Sequence, residues 1–240
     1  MKLSVCSYTN RGGRSNNEDS ILCVCDGSRG VFALADGLGG HDRGEVASRL
    51  AVEAICAGGL EQIPRREELL ERFQRANSRI LASQQESGQE EMRTTAVALA
   101  LEGGAACWAH IGDSRLYRIS GGTISQVTRD HSVTYMKYLG GEISYMDVCH
   151  DDDRSSLLRV LGRTPCVPEG GSGPAAPGEA FLLCSDGFWE FVYQEEMLAD
   201  CLKAHTPEEW GHLMLLRHIR RAPAGNDNFS LIAVFVEEEP

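Results

Sequence analysis

No run of about 18 apolar residues occurs in the chain, so nothing in it reads as a membrane-spanning helix. The first residues, Met1-Lys2-Leu3-Ser4-Val5-Cys6-Ser7, lack the apolar block and cleavage site of a secretory signal. The expected location is therefore cytoplasmic. Basic charge is short: 23 Lys and Arg face 35 Asp and Glu, a formal net charge of −12. That balance argues against a broad basic face for nucleic acid or an anionic membrane. Cysteine is present without the pattern of a framework. The nine Cys are odd in number, and Cys23, Cys25, Cys107 and Cys184 sit in apolar strand-like runs, as small buried thiols do. Cys23 and Cys25 share one strand face, but no second pair has zinc-site spacing. No linker or internal repeat divides the 240 residues. One domain over 1–240 is expected, and a monomer, because the apolar stripes fit a core.

Two apolar strands run straight into Asp-Gly: Val31-Phe32-Ala33-Leu34-Ala35-Asp36-Gly37 and Phe181-Leu182-Leu183-Cys184-Ser185-Asp186-Gly187. A buried strand that ends in a carboxylate holds it rigidly at the edge of the core. The Gly lets the backbone turn and approach a ligand closely. With Asn17-Glu18-Asp19 and Asn226-Asp227-Asn228 they suggest one oxygen-rich metal site drawn from the whole chain.

Short strands fill the first stretch: 3–9, 20–25 and 31–35. Asp42 reads as a helix N-cap with Glu45 three residues on, before a stripe of Val46, Ala47, Leu50, Ala51, Ala54 and Ile55. A second helix is expected from near Pro64, with a stripe of Leu69, Leu70, Phe73, Ala76, Asn77, Ile80 and Leu81 and charges on the other face. Strands follow over 94–101, 105–111, 116–119 and 123–127, with Gly121-Gly122 as a hairpin turn. Residues 129–158 read as irregular and contain Asp151-Asp152-Asp153. A Gly/Pro/Ala segment at 168–178 leads to the second Asp-Gly strand, then a helix over 208–220 and a last strand over 229–236. Hairpins and paired helices point to packed antiparallel sheets covered by helices.

Carboxylates that converge without cations repel one another and are stable together only when a metal or protons neutralise them. Asp, Glu and carbonyl oxygens suit Mg2+ or Mn2+ rather than zinc. Each Asp-Gly alone is a common turn former; specificity comes from order and context.

In that order the chain resembles the metal-dependent protein Ser/Thr phosphatases of type 2C, in their bacterial form, over nearly its full length. The residues that carry this are Gly13-Arg14-Ser15-Asn16-Asn17-Glu18-Asp19-Ser20, Asp36-Gly37-Leu38-Gly39-Gly40-His41, Met92-Arg93-Thr94-Thr95, Gly112-Asp113-Ser114-Arg115-Leu116-Tyr117, Thr128-Arg129-Asp130-His131-Ser132, Cys184-Ser185-Asp186-Gly187 and Asp227-Asn228. The resemblance implies an α+β sandwich of two antiparallel β-sheets flanked by α-helix pairs, four layers in all. It implies two Mn2+ or Mg2+ ions bridged by Asp36, with the Gly37 carbonyl and Glu18 on the second ion and Asp186 and Asp227 on the first. Asp19 orders metal-bound water, Arg14 grips the substrate phosphate, and a water between the metals attacks phosphorus with no phosphoenzyme. Asp113 joins Asp186 around a weaker third ion, with one of Asp151 to Asp153 a candidate ligand against a solvated-loop reading. Phosphorylated proteins are the implied partners, a bacterial Ser/Thr kinase and its substrates among them, and a flap over about 134–158 helps choose them.

Departures from the family pattern stand beside these implications. Arg93 replaces a usual Gly, and is either tolerated or adds a cation near the site. Leu38 stands where some relatives carry a His proposed as general acid. His41 is open between that role and loop packing, and His131 reads as structural. Two rival functions remain: an inactive phosphoprotein-binding module, and a phosphatase of small metabolites.

Overall fold

The structure is a computed structural model that describes residues 1–38, 43–88 and 91–239. Two antiparallel sheets lie face to face. The first has the order β1 (Lys2–Asn10), β11 (Phe229–Glu237), β10 (Ala180–Cys184), β7 (Arg115–Ser120), β8 (Thr123–Gln126). The second runs β2 (Asp19–Cys25), β3 (Gly30–Leu38), β5 (Ala96–Glu102), β6 (Ala105–Ile111), β9 (Glu169–Pro174), with β4 (Arg93–Thr94) paired to the end of β3. Helices α1 (Gly44–Ile55) and α2 (Arg66–Ser87) cover the second sheet. Helices α5 (Gln194–Cys201) and α6 (Pro207–Arg221) cover the first.

The sequence of β5 shows why the layers stack in this way. Its large residues Val97, Leu99 and Leu101 enter the core between the sheets, beside Phe32, Leu34, Phe181, Leu183, Ile232 and Val234. Its alternate residues Ala96, Ala98 and Ala100 face Phe73, Ala76 and Ile80 of α2. Period-two alternation of large and small apolar residues therefore buries both faces of one strand and lets helices come close on the small face. A strand buried on both faces reads as a continuous apolar run, which is why β3, β5 and β10 were legible as strands. The four-layer α+β sandwich implied by the motifs is the architecture observed.

Several elements depart from the sequence expectation. The Gly-rich stretch at 168–178 contains an edge strand, β9, paired with β6. Glycine is required there because the Trp108 indole lies across it: a Cβ on Gly171 would sit 2.6 Å from that ring. Nothing apolar alternates in β9, so no periodicity marks it. Inside the stretch read as irregular lies a short helix, α3 (Val133–Leu139), whose N-cap Ser132 accepts from the Tyr135 N–H. Helix α5, only eight residues long, is too short for a clear helical periodicity.

Asp42, expected as an N-cap, and Gly39, Gly40 and His41 lie outside the described residues. Helix α1 instead follows Arg43, whose φ of 61° is the one left-handed non-glycine among the described residues. That conformation costs an L-residue with a Cβ about 1–2 kcal/mol.

Candidate active site

Four strand ends meet at one end of the sandwich. Strand β2 opens with Asp19, whose register partner is Asp36 near the close of β3. Strand β10 closes into α4 (Asp186–Trp189), and Asp227-Asn228 lead into β11 beside it. The turn after β6 supplies Asp113. Arg14, Glu18, Asp36, Gly37, Asp113, Asp186 and Asp227 line a single cavity of about 460 Å³. The cavity thus brings together every site residue expected from sequence except Asp19, which is buried.

Close backbone approaches build the cavity. A Cβ on Gly37 would fall 2.4 Å from the Gly44 carbonyl, and one on Gly44 would fall 2.5 Å from Glu18 Oε2. Glycine at both positions lets the N-terminus of α1 lie against the end of β3, with Glu18 between. The Glu18 carbonyl accepts from the Gly37 N–H at 3.1 Å and from Ser48 Oγ at 2.5 Å. Asn228 ties the other side: its Oδ1 accepts from the Glu18 N–H, and its Nδ2 donates to the carbonyls of Arg11 and Asn16. The Asp36 carbonyl accepts from Thr94 Oγ1 and the Thr95 N–H, at 2.7 and 2.9 Å. None of these bonds uses a carboxylate oxygen, and the carboxylates of Glu18, Asp36, Asp113, Asp186 and Asp227 line the cavity.

The electrostatics are those of crowded acids. Burial pushes the Asp36 carboxyl well above the usual range, and Asp186, Asp19 and Asp113 add like-charge repulsion. The Asp36 and Asp186 carboxylates come within hydrogen-bonding reach of each other. Burial also raises Asp113 and Asp186, and raises Glu18, which Glu45 and Asp227 push further. Asp19 is raised to about 7 by burial, against the Ser230 and Ser185 hydroxyls that donate to its Oδ2. Its other oxygen, Oδ1, is buried with no hydrogen-bond partner. One cation is in direct contact: Arg14 Nη2 lies 2.7 Å from Asp227 Oδ2, in an exposed pair.

The family model described as protein phosphatase 2C matches residues 8–208. The chain belongs to that family. The chain is 33% identical over 228 residues to the serine/threonine protein phosphatase PstP of Mycobacterium tuberculosis, covering 93% of this chain and 43% of that protein. It thus spans less than half the length of that relative. It is 32% identical to the serine/threonine phosphatase stp of Listeria welshimeri, over 94% of this chain and 93% of that one. The solved structure of the PstP catalytic domain in complex with two manganese ions superposes with a TM-score of 0.87, at 29% identity and 99% coverage of both chains.

The donors of this 2C phosphatase fold fit hard divalent cations. They are oxygen atoms, five of the acids have raised proton affinity from burial and mutual repulsion, and Asp19 Oδ1 has no partner. Acids of the insertion stand elsewhere. Lys137 Nζ lies 2.8 Å from both Asp151 and Asp153, and none of the trio lines the cavity. The insertion reaches the cavity instead through Ser155 and Leu157. Arg93 pairs with Glu91 at 2.9 Å and does not line the cavity. Arg43 and Glu45 also line the cavity, and no motif marks either; Glu45 reads from sequence as a helix-capping residue.

A second cluster, His110, His131 and Glu169, offers one ligand atom from each residue within 4.8 Å of the others. Its ring geometry does not suit a metal. The imidazoles stack with centroids 4.6 Å apart and planes at 17°, so their in-plane lone pairs do not converge on one ion. The Gly112 N–H donates to His131 Nδ1, which takes that nitrogen's lone pair away from any metal. Arg159 already pairs with Glu169 at 2.6 Å. The cluster is structural, as expected for His131. Burial lowers His131 to about 4, with His110 and Arg159 adding to the effect. A depressed folded value means that its contribution to stability is full above about 6.5 and is lost as pH falls toward 4. The melting advantage of the wild type over His131→Gln should therefore shrink across that window, by on the order of 2 kcal/mol. An advantage constant from pH 7 to 4 would contradict the neutral assignment.

Proposed function

We propose that the chain is a metal-dependent protein phosphatase that hydrolyses phosphoserine and phosphothreonine in proteins. The observation that carries this is the convergence of Glu18, Asp36, Asp113, Asp186 and Asp227 on one cavity that Arg14 also lines. A pure scaffold has no need of acids held together against their own repulsion. Asp36 would be shared by two ions, the Gly37 carbonyl and Glu18 would serve one, and Asp186 and Asp227 the other. Asp113 beside Asp186 would serve a third. Bound there, Mn2+ or Mg2+ supplies Lewis acidity, which activates water at neutral pH and offsets the phosphate charge.

The side chains do the rest. Arg14 is more than half exposed at the cavity, and its guanidinium makes paired, charge-assisted bonds to phosphate oxygens. Asp19 would order the attacking water through Oδ1, the carboxylate oxygen that has no partner in the fold. The Ser185 and Ser230 hydroxyls hold the other oxygen and fix the carboxylate plane. Residues 134–158 would act as the flap that meets the substrate protein, through Ser155 and Leu157. Phosphorylated proteins, including a Ser/Thr kinase and its substrates, are the proposed partners. Among the described residues, no helix is long and apolar enough to cross a membrane.

Turnover of phosphothreonine peptides, sugar phosphates and nucleotides by the Mn2+-loaded protein tests the substrate class. Peptides are expected to be preferred. A strong preference for a metabolite would overturn the protein-phosphatase reading, and no turnover of any of them would favour a binding module.

A further inference from the structure

Among the described residues the cavity is lined by two cations, and only Arg14 has been given a task. The other is Arg43, the residue before α1. It is exposed, and among the described residues it has no carboxylate partner within ion-pair distance. Arg14, by contrast, is already paired with Asp227.

Its placement is fixed by its neighbours. Gly44 is wedged against Glu18 and Gly37, so the first turn of α1 cannot withdraw from the metal-side acids. The Arg43 carbonyl accepts from the Val46 N–H at 3.0 Å, which anchors that backbone to the helix. Between these two restraints Arg43 adopts φ 61°, a conformation in which glycine would be unstrained. Its side chain makes no capping bond. A strained backbone that carries a long cation to an active-site rim, with no partner there among the described residues, invites a reading in terms of ligand.

We propose that Arg43 is a specificity-determining residue: it binds a carboxylate side chain of the substrate next to the phosphorylated Ser or Thr. The proposal rests on the protein-phosphatase reading and names the class of phosphoprotein it prefers. The charge pattern sets the logic. A protein of net charge −12 repels acidic substrates at long range. A local cation at the rim can reverse this for an acid in one position only, and this gives selection by position as well as by charge. An exposed ion pair supports a modest effect, about fivefold in affinity.

The test uses phosphothreonine peptides with Asp, Ala or Lys flanking the phosphoresidue, and wild type, Arg43→Gly, Arg43→Lys and Arg43→Glu. Gly accepts the left-handed backbone, so that variant removes the cation without adding strain. Wild type is expected to favour Asp over Lys flanks about fivefold, through KM, with the preference weakening as salt rises. Arg43→Lys should keep the preference, Arg43→Gly should erase it and Arg43→Glu should invert it. An unchanged Asp-to-Lys ratio in Arg43→Gly, or a uniform fall in kcat on all three peptides, would overturn the proposal while leaving the phosphatase reading intact. Failure of the wild type to release phosphate from any peptide would overturn that reading, and the role of Arg43 with it.

Discussion

Replacing Asp36 by Asn should make the metal-free protein more stable and the enzyme inactive. Asp36 is the most crowded acid of the site, raised by burial and by Asp186, Asp19 and Asp113. An acid raised on folding contributes stability that is full below its unfolded pKa and lost as pH climbs through its folded one. Asp36 and its neighbour Asp19, at about 7, therefore burden the metal-free fold most at neutral and alkaline pH. With one pKa unit worth about 1.4 kcal/mol, Asp36→Asn should raise the metal-free melting temperature at pH 8 by about 3–6 °C. Metal-free wild type should melt lower at pH 8 than at pH 6.5. Saturating Mn2+ should reverse that trend, because the deprotonated carboxylate is the ligand. At a hundred times its dissociation constant a bound ion adds about 2.7 kcal/mol, and Asp36→Asn should lose most of this. Its activity should fall on the order of a thousandfold. A lower metal-free melting temperature in Asp36→Asn would show that the acid is held by partners in the fold rather than kept for a cation.

The second large effect lies behind the site, at Arg115. Its guanidinium is 2% exposed and makes three contacts to the Asp130 carboxylate, the shortest 2.6 Å. It donates to the hydroxyls of Tyr117 and Tyr145 and lies 3.4 Å from the Trp189 ring centroid. Trp189 in turn donates Nε1–H to the Asp113 carbonyl and closes α4, the helix that begins with Asp186. One side chain thus joins the first sheet, the insertion and two proposed metal ligands. Removing it strands the buried Asp130 charge, which costs about 3–5 kcal/mol. Arg115→Ala should therefore melt roughly 10 °C lower and bind Mn2+ more weakly. The double variant Arg115→Met/Asp130→Leu removes both charges and should recover much of the melting temperature, because a buried pair adds little net stability over an apolar one. A double variant as unstable as Arg115→Ala would mean that the pair itself, and not the unpaired charge, carries the stability.

Much of this fold was legible because its central strands are buried on both faces. Continuous apolar runs in β3, β5 and β10 declare themselves, and two of them end in the Asp-Gly pairs that define the site. The acids were legible for the same reason: rigid strand ends fix where Asp36 and Asp186 stand. What stayed hidden depends on contacts between distant segments. Strand β9 exists because Gly171 makes room for Trp108, which no local pattern records. Lys137 holds Asp151 and Asp153 across a loop whose helix α3 is too short for clear periodicity. Arg43 was invisible as a cavity residue because the left-handed turn that places it follows from Gly44 packing on Glu18 and Gly37.

The most direct test of the central claim is phosphate release from a phosphothreonine peptide by the purified protein, with Mn2+, with Mg2+ and with chelator. The account predicts release with metal, none with chelator, recovery when metal is restored, and loss in Asp186→Asn, whose folding is checked by melting. Release that persists in chelator, or in folded Asp186→Asn with Mn2+, would contradict it.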